Sequence, residues 1–517
     1  MKRSSSKIFR IPSSVFVALY ITFATIAFSA CSNSETMGAD IEESAVVHCK
    51  DADTNISPTQ EETTAKKDSL KDGFSNTEPA SKDSMHSQEA TEITSKNDSS
   101  ITDIAITEPA SIDSIHSYKI SCDSDSKCIP LNDTEYPYAG IPRIVIETDN
   151  HQAIKDRETE VSAKLQIWGK NSPESEIMEL TIRGRGNTSW EMPKKSYKIE
   201  FVNKQEMLGM PKDKDWALIA NYADKTLMKN YLLYHLSAKL GAYYAPRCDF
   251  AELYINNEYL GVYLLTETIK IGKNRINIPN KDNSYIVEIA QNNRHTDLVF
   301  YTHIIKTDSI GKPFRVHEPK EPSKETLSTL INHVEDFENY LKTIQLGKKN
   351  DVSQWMDLSE CIKHYWIQEF SKNPDAAGYS SLYFTWEKEG LIRMGPVWDF
   401  DLAFGSHSNE TINQTDKWYI KSGYWHSYIF KDSIANHSRI EYWLENKIQF
   451  ANTEVVVDSI RNLLQDAAKN NFKKWAILQS TTYKYHRHAY NTYEDAVEDL
   501  KKWIKERIHW IDKEITR

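Results

Sequence analysis

The chain has 517 residues, more than one ordinary domain holds, and a formal charge of −11. An acidic balance of that size excludes a general nucleic-acid binder, which presents a basic face to phosphates. Thirteen Trp and 27 Tyr supply either a large core or an aromatic-lined surface, and composition does not choose between them.

Lys2, Arg3, Lys7 and Arg10 make a basic start, residues 11–28 are largely apolar, and Ser29 and Ala30 precede Cys31. That order reads as a targeting segment. A small-residue cleavage site followed directly by Cys resembles the lipobox of bacterial lipoproteins, with Phe28 where Leu is usual. The resemblance implies a signal peptide over 1–30 and lipid on the Cys31 thiol. One acyl chain binds a membrane only marginally, so a diacylglyceride with an amide-linked chain is the expected anchor. The expected location is the cell envelope, and Ser32, which is no Asp-type inner-membrane retention signal, points to the outer membrane. An uncleaved spanning helix is the rival reading, but Pro12, Ser13 and Ser14 shorten its apolar run. No C-x-x-C pair occurs, so a structural zinc site has no support. Cys122 and Cys128 are spaced to close a small disulfide loop in an exported chain. Cys248 and Cys361 stand in apolar contexts and read as core residues.

Residues 31–134 are rich in Ser, Thr, Asp, Glu and Lys, a composition that cannot bury enough apolar surface to offset chain entropy. TEPASKDSMHS at 77–87 returns as TEPASIDSIHS at 107–117. Two copies this polar do not make a stacked solenoid, and a disordered tether is the expectation. Strand alternation begins with residues 142–148 and recurs at 161–168 and 178–182. A turn with two arginines, Arg183-Gly-Arg-Gly-Asn-Thr-Ser-Trp190, leads to another alternating run at 193–201. Residues 216–220 form a short apolar strand, and Asp224 is placed to cap a helix that ends near Leu240 at Gly241. Residues 250–265 read as a hairpin turned at Asn256-Asn257, and 285–290 as a further strand.

The second half reads differently. Residues 323–345 have helical periodicity, and Asp357 with Glu360 starts a helix that runs to about Lys372. The loop Asn373-Pro-Asp375 precedes a hairpin of 381–386 and 391–394. From about 436 the pattern is helical, and the last helix puts Val497, Leu500, Trp503, Ile504, Ile508, Ile511 and Ile515 on one face. Strands first and helices later predict an α+β protein in two lobes, 135–275 and 276–517.

After the hairpin comes Gly395-Pro-Val-Trp-Asp-Phe-Asp-Leu-Ala-Phe-Gly405. If 397–401 is a strand, Asp399 and Asp401 share a face about 7 Å apart, from two residues of strand rise. Acids in an apolar run need a partner, and a divalent cation holding phosphates suits them. The bland alternative is a strand end whose acids cap amides or pair with Arg393. A two-acid sugar hydrolase is a third reading, since such pairs lie roughly 5–10 Å apart. Acids projecting in parallel from one wall suit a cation better.

The strings IRGRGNTSWEMPKKSYKIEF (182–201), LIANYADKTLMKNYL (218–232), AELYINNEYLGVYLLTE (251–267), KNPD (372–375), GPVWDFDLAFG (395–405) and WIKERIHWID (503–512) resemble the CotH family of atypical, secreted kinase-like proteins. The resemblance implies a diverged bilobal protein-kinase fold with an antiparallel-sheet N-lobe and a mainly helical C-lobe. It implies ATP with Mg²⁺ or Mn²⁺, and an envelope or surface protein phosphorylated on Ser or Thr. It places Asp375 as the catalytic acid, Asp399 as a metal ligand and Asp401 as a second one. Lys195 is the first choice for the phosphate lysine and Lys198 the second; strand parity puts them on opposite faces and does not decide. Arg183 and Arg185 are expected to hold phosphates, and Glu267 to mark the hinge between lobes. Ala376, Ala377 and Gly378 follow Asp375 where polar residues are usual, which leaves Ser380 or Ser381 as a weaker metal ligand. That departure keeps a non-catalytic kinase-fold binding protein as the alternative. The bland readings stand beside these: Lys195 and Lys198 as solvated lysines, the arginine turn as surface pairs, and His486 and His488 as surface or core residues.

Overall fold

The computed structural model describes residues 128–279, 283–291, 297–345 and 351–515. The expected signal peptide, Cys31, nearly all of the tether with its repeat, and Cys122 lie outside them. Cys128 is disulfide-bonded, and Cys248 and Cys361 are free. No helix among the described residues is long and apolar enough to cross a membrane.

The alternating runs of the first half become β1 (Arg143–Thr148), β2 (Val161–Trp168), β3 (Met178–Arg185), β4 (Ser196–Met207), β5 (Met210–Ile219), β6 (Cys248–Ile255) and β7 (Glu258–Glu267). Their order, β1-β2-β3-β4-β5-β7-β6, closes into a barrel because β1 pairs in parallel with β6, from Arg143 opposite Glu252 to Ile146 opposite Ile255. Closure removes both sheet edges and wraps one apolar face around an interior of Ile144, Leu165, Ile182, Ile199, Trp216 and Leu253. The opposite parity faces outward. On β3 the half-buried positions are Thr181, Arg183 and Arg185, and on β4 Lys198 and Glu200 alternate with buried Tyr197, Ile199 and Phe201. Arg183 lies directly opposite Lys198. The β6–β7 turn is the expected one, with Asn256 and Asn257 at φ 50° and 66°, the left-handed pair a two-residue hairpin turn needs.

The helix after β5, α1 (Lys229–Lys239), starts later than Asp224. The Asp224 carboxylate instead takes the amides of Thr226 at 2.8 Å and Lys229 at 2.9 Å, shaping the turn that delivers the chain into the helix. Gly241 at φ 66° follows its end as expected.

The second half was expected to be mainly helical, and it opens with a five-stranded sheet: β8 (Ser284–Ile289), β9 (Val299–Thr302), β10 (Lys312–Glu318), β11 (Leu382–Glu387) and β12 (Arg393–Met394), in the order β12-β11-β8-β10-β9. All its pairs are antiparallel. Strand β8, buried along its whole length, and the β11–β12 hairpin were expected, whereas β9 and β10 were not read from the sequence. The longer helices of this half are α2 (Lys324–Gln345), α3 (Leu358–Ser371), α4 (Ser433–Ala451), α5 (Thr453–Lys474) and α6 (Tyr493–Ile515). Asp357 caps α3 by accepting the Glu360 amide at 3.1 Å. Helix α5 returns to the barrel, where Asn471 Oδ1 accepts the Val262 amide at 3.1 Å. The largest apolar cluster joins Ile219 and Val262 from the barrel strands to Leu232, Phe314, Tyr365, Phe400 and Leu500. Mixed α and β structure is therefore found, with a closed seven-strand barrel where the antiparallel-sheet N-lobe of a bilobal kinase-like fold was expected.

Candidate active site

The cationic wall comes from the outward face of β3 and β4. A Cβ on Gly184 would stand 2.4 Å from the Trp190 ring, and Gly186 has φ 99°, so both glycines are needed for the chain to fold tightly after β3. Arg183 Nη1 donates to the Arg157 carbonyl at 2.6 Å, and its Nε lies 3.7 Å from Glu160. The Arg185 guanidinium lies 4.9 Å from the centre of the Trp398 ring and makes no ion pair among the described residues. Lys198 Nζ is 2.8 Å from both Glu200 and Asp215, and Asp215 also takes Lys270 at 2.5 Å. Burial raises the Asp215 carboxyl, but Lys198 and Lys270 outweigh it and hold it down at about 2. Burial likewise opposes the charge on Lys198, and its two carboxylates reverse that and raise it. Lys198 is a charged lysine already committed to two acids.

Two expected site residues stand elsewhere. Lys195 precedes β4, so strand parity does not govern it; its Nζ donates to the Trp190 carbonyl at 2.5 Å and lies 5.2 Å from the centre of that ring. It does not line the cavity described below. Its neighbour Lys194 is buried, bonded to the Val262 carbonyl at 2.5 Å and Asn471 Oδ1 at 2.9 Å. Glu267 is fully buried and accepts from Arg275 at 2.5 Å, Arg247 Nε at 2.9 Å and Tyr244 at 2.8 Å. It is one member of a closed ion-pair cluster, and it too is absent from the cavity wall.

The acidic wall is built by α3 and the stretch after β12. Lys372, at φ 45°, ends α3, and Asn373 reaches from there to Gln368 Oε1 at 3.0 Å and the Asp399 carbonyl at 3.1 Å. The Asp375 carbonyl accepts the amides of Gly378, Tyr379 and Ser380 at 3.3, 2.8 and 3.2 Å, closing a tight turn that fixes its main chain. Residues 397–401 are not a strand. Asp399 sits at φ 63°, a conformation that costs a non-glycine residue about 1–3 kcal/mol and persists only where the surroundings enforce it. Ser381 Oγ donates to Asp399 Oδ2 at 3.2 Å. Asn230 of α1 donates to Asp401 Oδ1 and accepts the Phe400 amide at 2.8 Å, so one side chain clamps the acid stretch from behind. Lys229 beside it donates to the Ala403 carbonyl at 2.8 Å and to Ser406.

These walls face one cavity of about 1060 Å³, lined by Arg183, Arg185, Lys198, Asp375, Asp399 and Asp401, with Asn230, Glu288 and Ser381 between them. It is large enough for a nucleotide. Enclosure by protein, then the neighbouring acids Asp399, Asp401 and Glu288, push the Asp375 carboxyl up to about 7. Enclosure also raises Asp399, against the pull of Arg185 and Ser381. Asp401 moves the same way through enclosure and then Asp399. None of the three acids has an ion pair among the described residues, so each carboxyl is left to titrate against its acidic neighbours. Among the described residues no group of three or more His, Cys, Asp or Glu side chains is arranged as a metal cage. Asp399 and Asp401 with a hydroxyl from Ser381 are instead an incomplete oxygen set, the kind Mg²⁺ accepts when phosphates and waters fill the remaining positions. The donor set fits the ion.

Asn230, Asn373 and Glu288 were not read from the sequence as site residues. Asn230 carried a usable signal: Asn is a poor helix former, and this one stands in a helix whose neighbours are nearly all buried. Glu288 carried none, because its ion pair with Arg315 joins strands distant in the chain. His486 is buried with Nε2 2.7 Å from the Tyr222 carbonyl, which is a core role.

Among known protein families, the one described as CotH kinase protein matches residues 182–511, a span that contains both walls. No curated protein matches the chain.

Proposed function

This chain belongs to the CotH kinase family, and we propose that it transfers the γ-phosphoryl group of ATP to a Ser or Thr hydroxyl of an envelope or surface protein, tied to its membrane by lipid on Cys31. One observation carries the reading: Asp375, Asp399 and Asp401 line one cavity with Arg185, whose guanidinium makes no ion pair among the described residues. Phosphoryl transfer needs little covalent chemistry from a protein, only counter-charge for the phosphate oxygens and an oriented nucleophile. Asp399 and Asp401 would hold Mg²⁺ or Mn²⁺, with Ser381 at the edge. Held by those residues, the cation would supply counter-charge for the phosphate during transfer. Arg185, stacked on Trp398, and Arg183 would supply positive charge to the phosphate oxygens. Lys198 joins them only by giving up Asp215 or Glu200. The Asp375 carboxylate orients the acceptor hydroxyl and takes its proton, a role that requires the ionised form.

The test is phosphate incorporation from radiolabelled ATP, with Mg²⁺ or Mn²⁺, into the purified protein or into extracted envelope protein. Incorporation that disappears in Asp375→Ala and Asp399→Ala supports the reading; none with either metal sinks it. A nucleotide-binding protein without turnover is the second reading. The double pairing of Lys198 and the short residues Ala376, Ala377 and Gly378 after Asp375 favour it. A thermal shift with MgATP and no incorporation selects that reading.

A further inference from the structure

The stretch 411–421, downstream of the paired acids, is held by three charged side chains that do not touch the cavity. Lys372, 2% exposed, points its ammonium at backbone oxygens alone: Gln414 at 2.7 Å, Asp416 at 2.8 Å and Thr411 at 3.4 Å. Arg507 of α6, fully buried, donates to the carbonyls of Thr415 and Lys417, each at 2.9 Å, and to Glu369 Oε1 at 2.7 Å. Glu369 of α3, also fully buried, accepts the amides of Tyr419 at 2.9 Å and Lys421 at 2.8 Å. Three charges thus fix seven backbone groups within eleven residues.

A buried charge is costly unless its partners are in place. Where the partners are main-chain atoms, the penalty falls on any other path of that main chain. The stretch so held reaches the site. Ile412 and Tyr419 line the cavity, the Tyr419 hydroxyl donates to the Pro374 carbonyl at 3.3 Å, and the Tyr424 amide donates to the Ala377 carbonyl at 3.0 Å. Glu369 and Lys372 lie on the end of α3 that delivers Asp375, so one helix end sets both the acid and the wall beside it.

We propose that Lys372, Glu369 and Arg507 are positioning residues that set the acceptor side of the cavity through the 411–421 backbone, with no modification of that stretch required. The proposal rests on the phosphotransfer reading for its kinetic consequence but not for its structural one. The cations that a phosphate on this stretch would recruit are already satisfied by carbonyl oxygens, so the wall is complete as the chain folds.

The experiment compares the full chain with Lys372→Met, Lys372→Arg and Tyr419→Phe by hydrogen exchange, and with dephosphorylated casein as acceptor. In Lys372→Met the amides of 411–421 lose protection while those of β3 and β4 keep it, and Lys372→Arg restores protection. The KM for casein rises about tenfold, in line with a small misplacement of a reacting group, while the KM for ATP moves less than twofold. Tyr419→Phe, which leaves the buried charges intact, keeps the exchange pattern and shows a smaller rise in the casein KM. Unchanged protection in Lys372→Met, equal losses for casein and ATP, or activity abolished by prior phosphatase treatment would each overturn the proposal. If the parent protein binds MgATP but phosphorylates nothing, the phosphotransfer reading fails, and the exchange data still decide whether the three charges position the stretch.

Discussion

The two walls of the cavity are made of opposite charges and treated differently by the rest of the molecule. On the cationic wall, Lys198 is held by Glu200 and Asp215, and Arg183 is held by a carbonyl; Arg185 alone of the three keeps its charge without a carboxylate. On the acidic wall Asp399 and Asp401 are held by neutral donors, Ser381 and Asn230, which fix their position without balancing their charge. Hydrogen bonds from neutral groups orient a carboxylate, whereas an ion pair both orients and neutralises it. A site meant for a polyphosphate and a divalent cation needs its acids left unneutralised. The contrast teaches that the acidic wall, more than the cationic one, is poised for a ligand.

The strongest way to break that contrast is at Asp399. Asp399→Asn is expected to reduce phosphate incorporation by about a thousandfold, the scale of removing one electrostatic element from a reaction site. In metal-free buffer the same variant should melt at a higher temperature than the parent, because it removes an unbalanced charge. A lower melting temperature without metal would mean that Asp399 is part of the scaffold. Glu267→Ala makes the opposite case. It strands Arg275 and is expected to cost about 3–5 kcal/mol of stability in chemical denaturation, while the folded protein keeps its MgATP affinity.

The cationic wall is graded. Arg185→Met should weaken MgATP binding by about a hundredfold, near the lower end for removal of one charged donor from a phosphate site. For Lys198→Met the expected loss is about fivefold or less, because the lysine must leave an ion pair to contribute and such pairs are worth about 0–1 kcal/mol. Titration calorimetry on the two variants ranks them; a larger loss at Lys198 would reverse the assignment. Lys195→Met should leave affinity unchanged.

The smallest effect is the response to pH. Asp375 has a usual carboxyl value of 3.8 and stands at about 7 in the fold. The folded chain therefore retains a proton that the unfolded chain releases. The stability this provides is present below about pH 4 and is lost as pH rises through about 7. Without metal, the melting temperature should decline over that window. With Mg²⁺ on the neighbouring acids the repulsion is relieved and the decline should flatten. A decline of equal slope with and without Mg²⁺ would separate the acids from the ion.

Much of this was legible in the chain. The Asn256-Asn257 hairpin, the Asp357 cap, and the apolar face of α6 follow from local rules, since each depends on residues within a turn or two of one another. The acids were found because carboxylates inside an apolar run stand out. The reason given for pairing them failed: they do not share a strand face, and Asp399 takes a left-handed conformation that Asn373 and Ser381 help to hold. Lys195 was preferred to Lys198 on family resemblance, and the register of β3 against β4, with Arg183 opposite Lys198, shows why the cavity receives the second.

By itself, then, the sequence determined the class of structure, most of the elements and the family, and singled out three acids that the fold brings to one cavity, because those rest on period, capping and short strings. Only the tertiary structure decided that seven strands close into a barrel, that β8 lies buried between β10 and β11, and that Lys198 arrives at the site already paired. Each of those depends on contacts between residues far apart in the chain, where neither period nor spacing carries information. The same holds for the hold that Arg507 and Lys372 have on the wall beside Asp375. A charge buried on backbone atoms leaves no mark in the sequence, because every residue offers the same carbonyl.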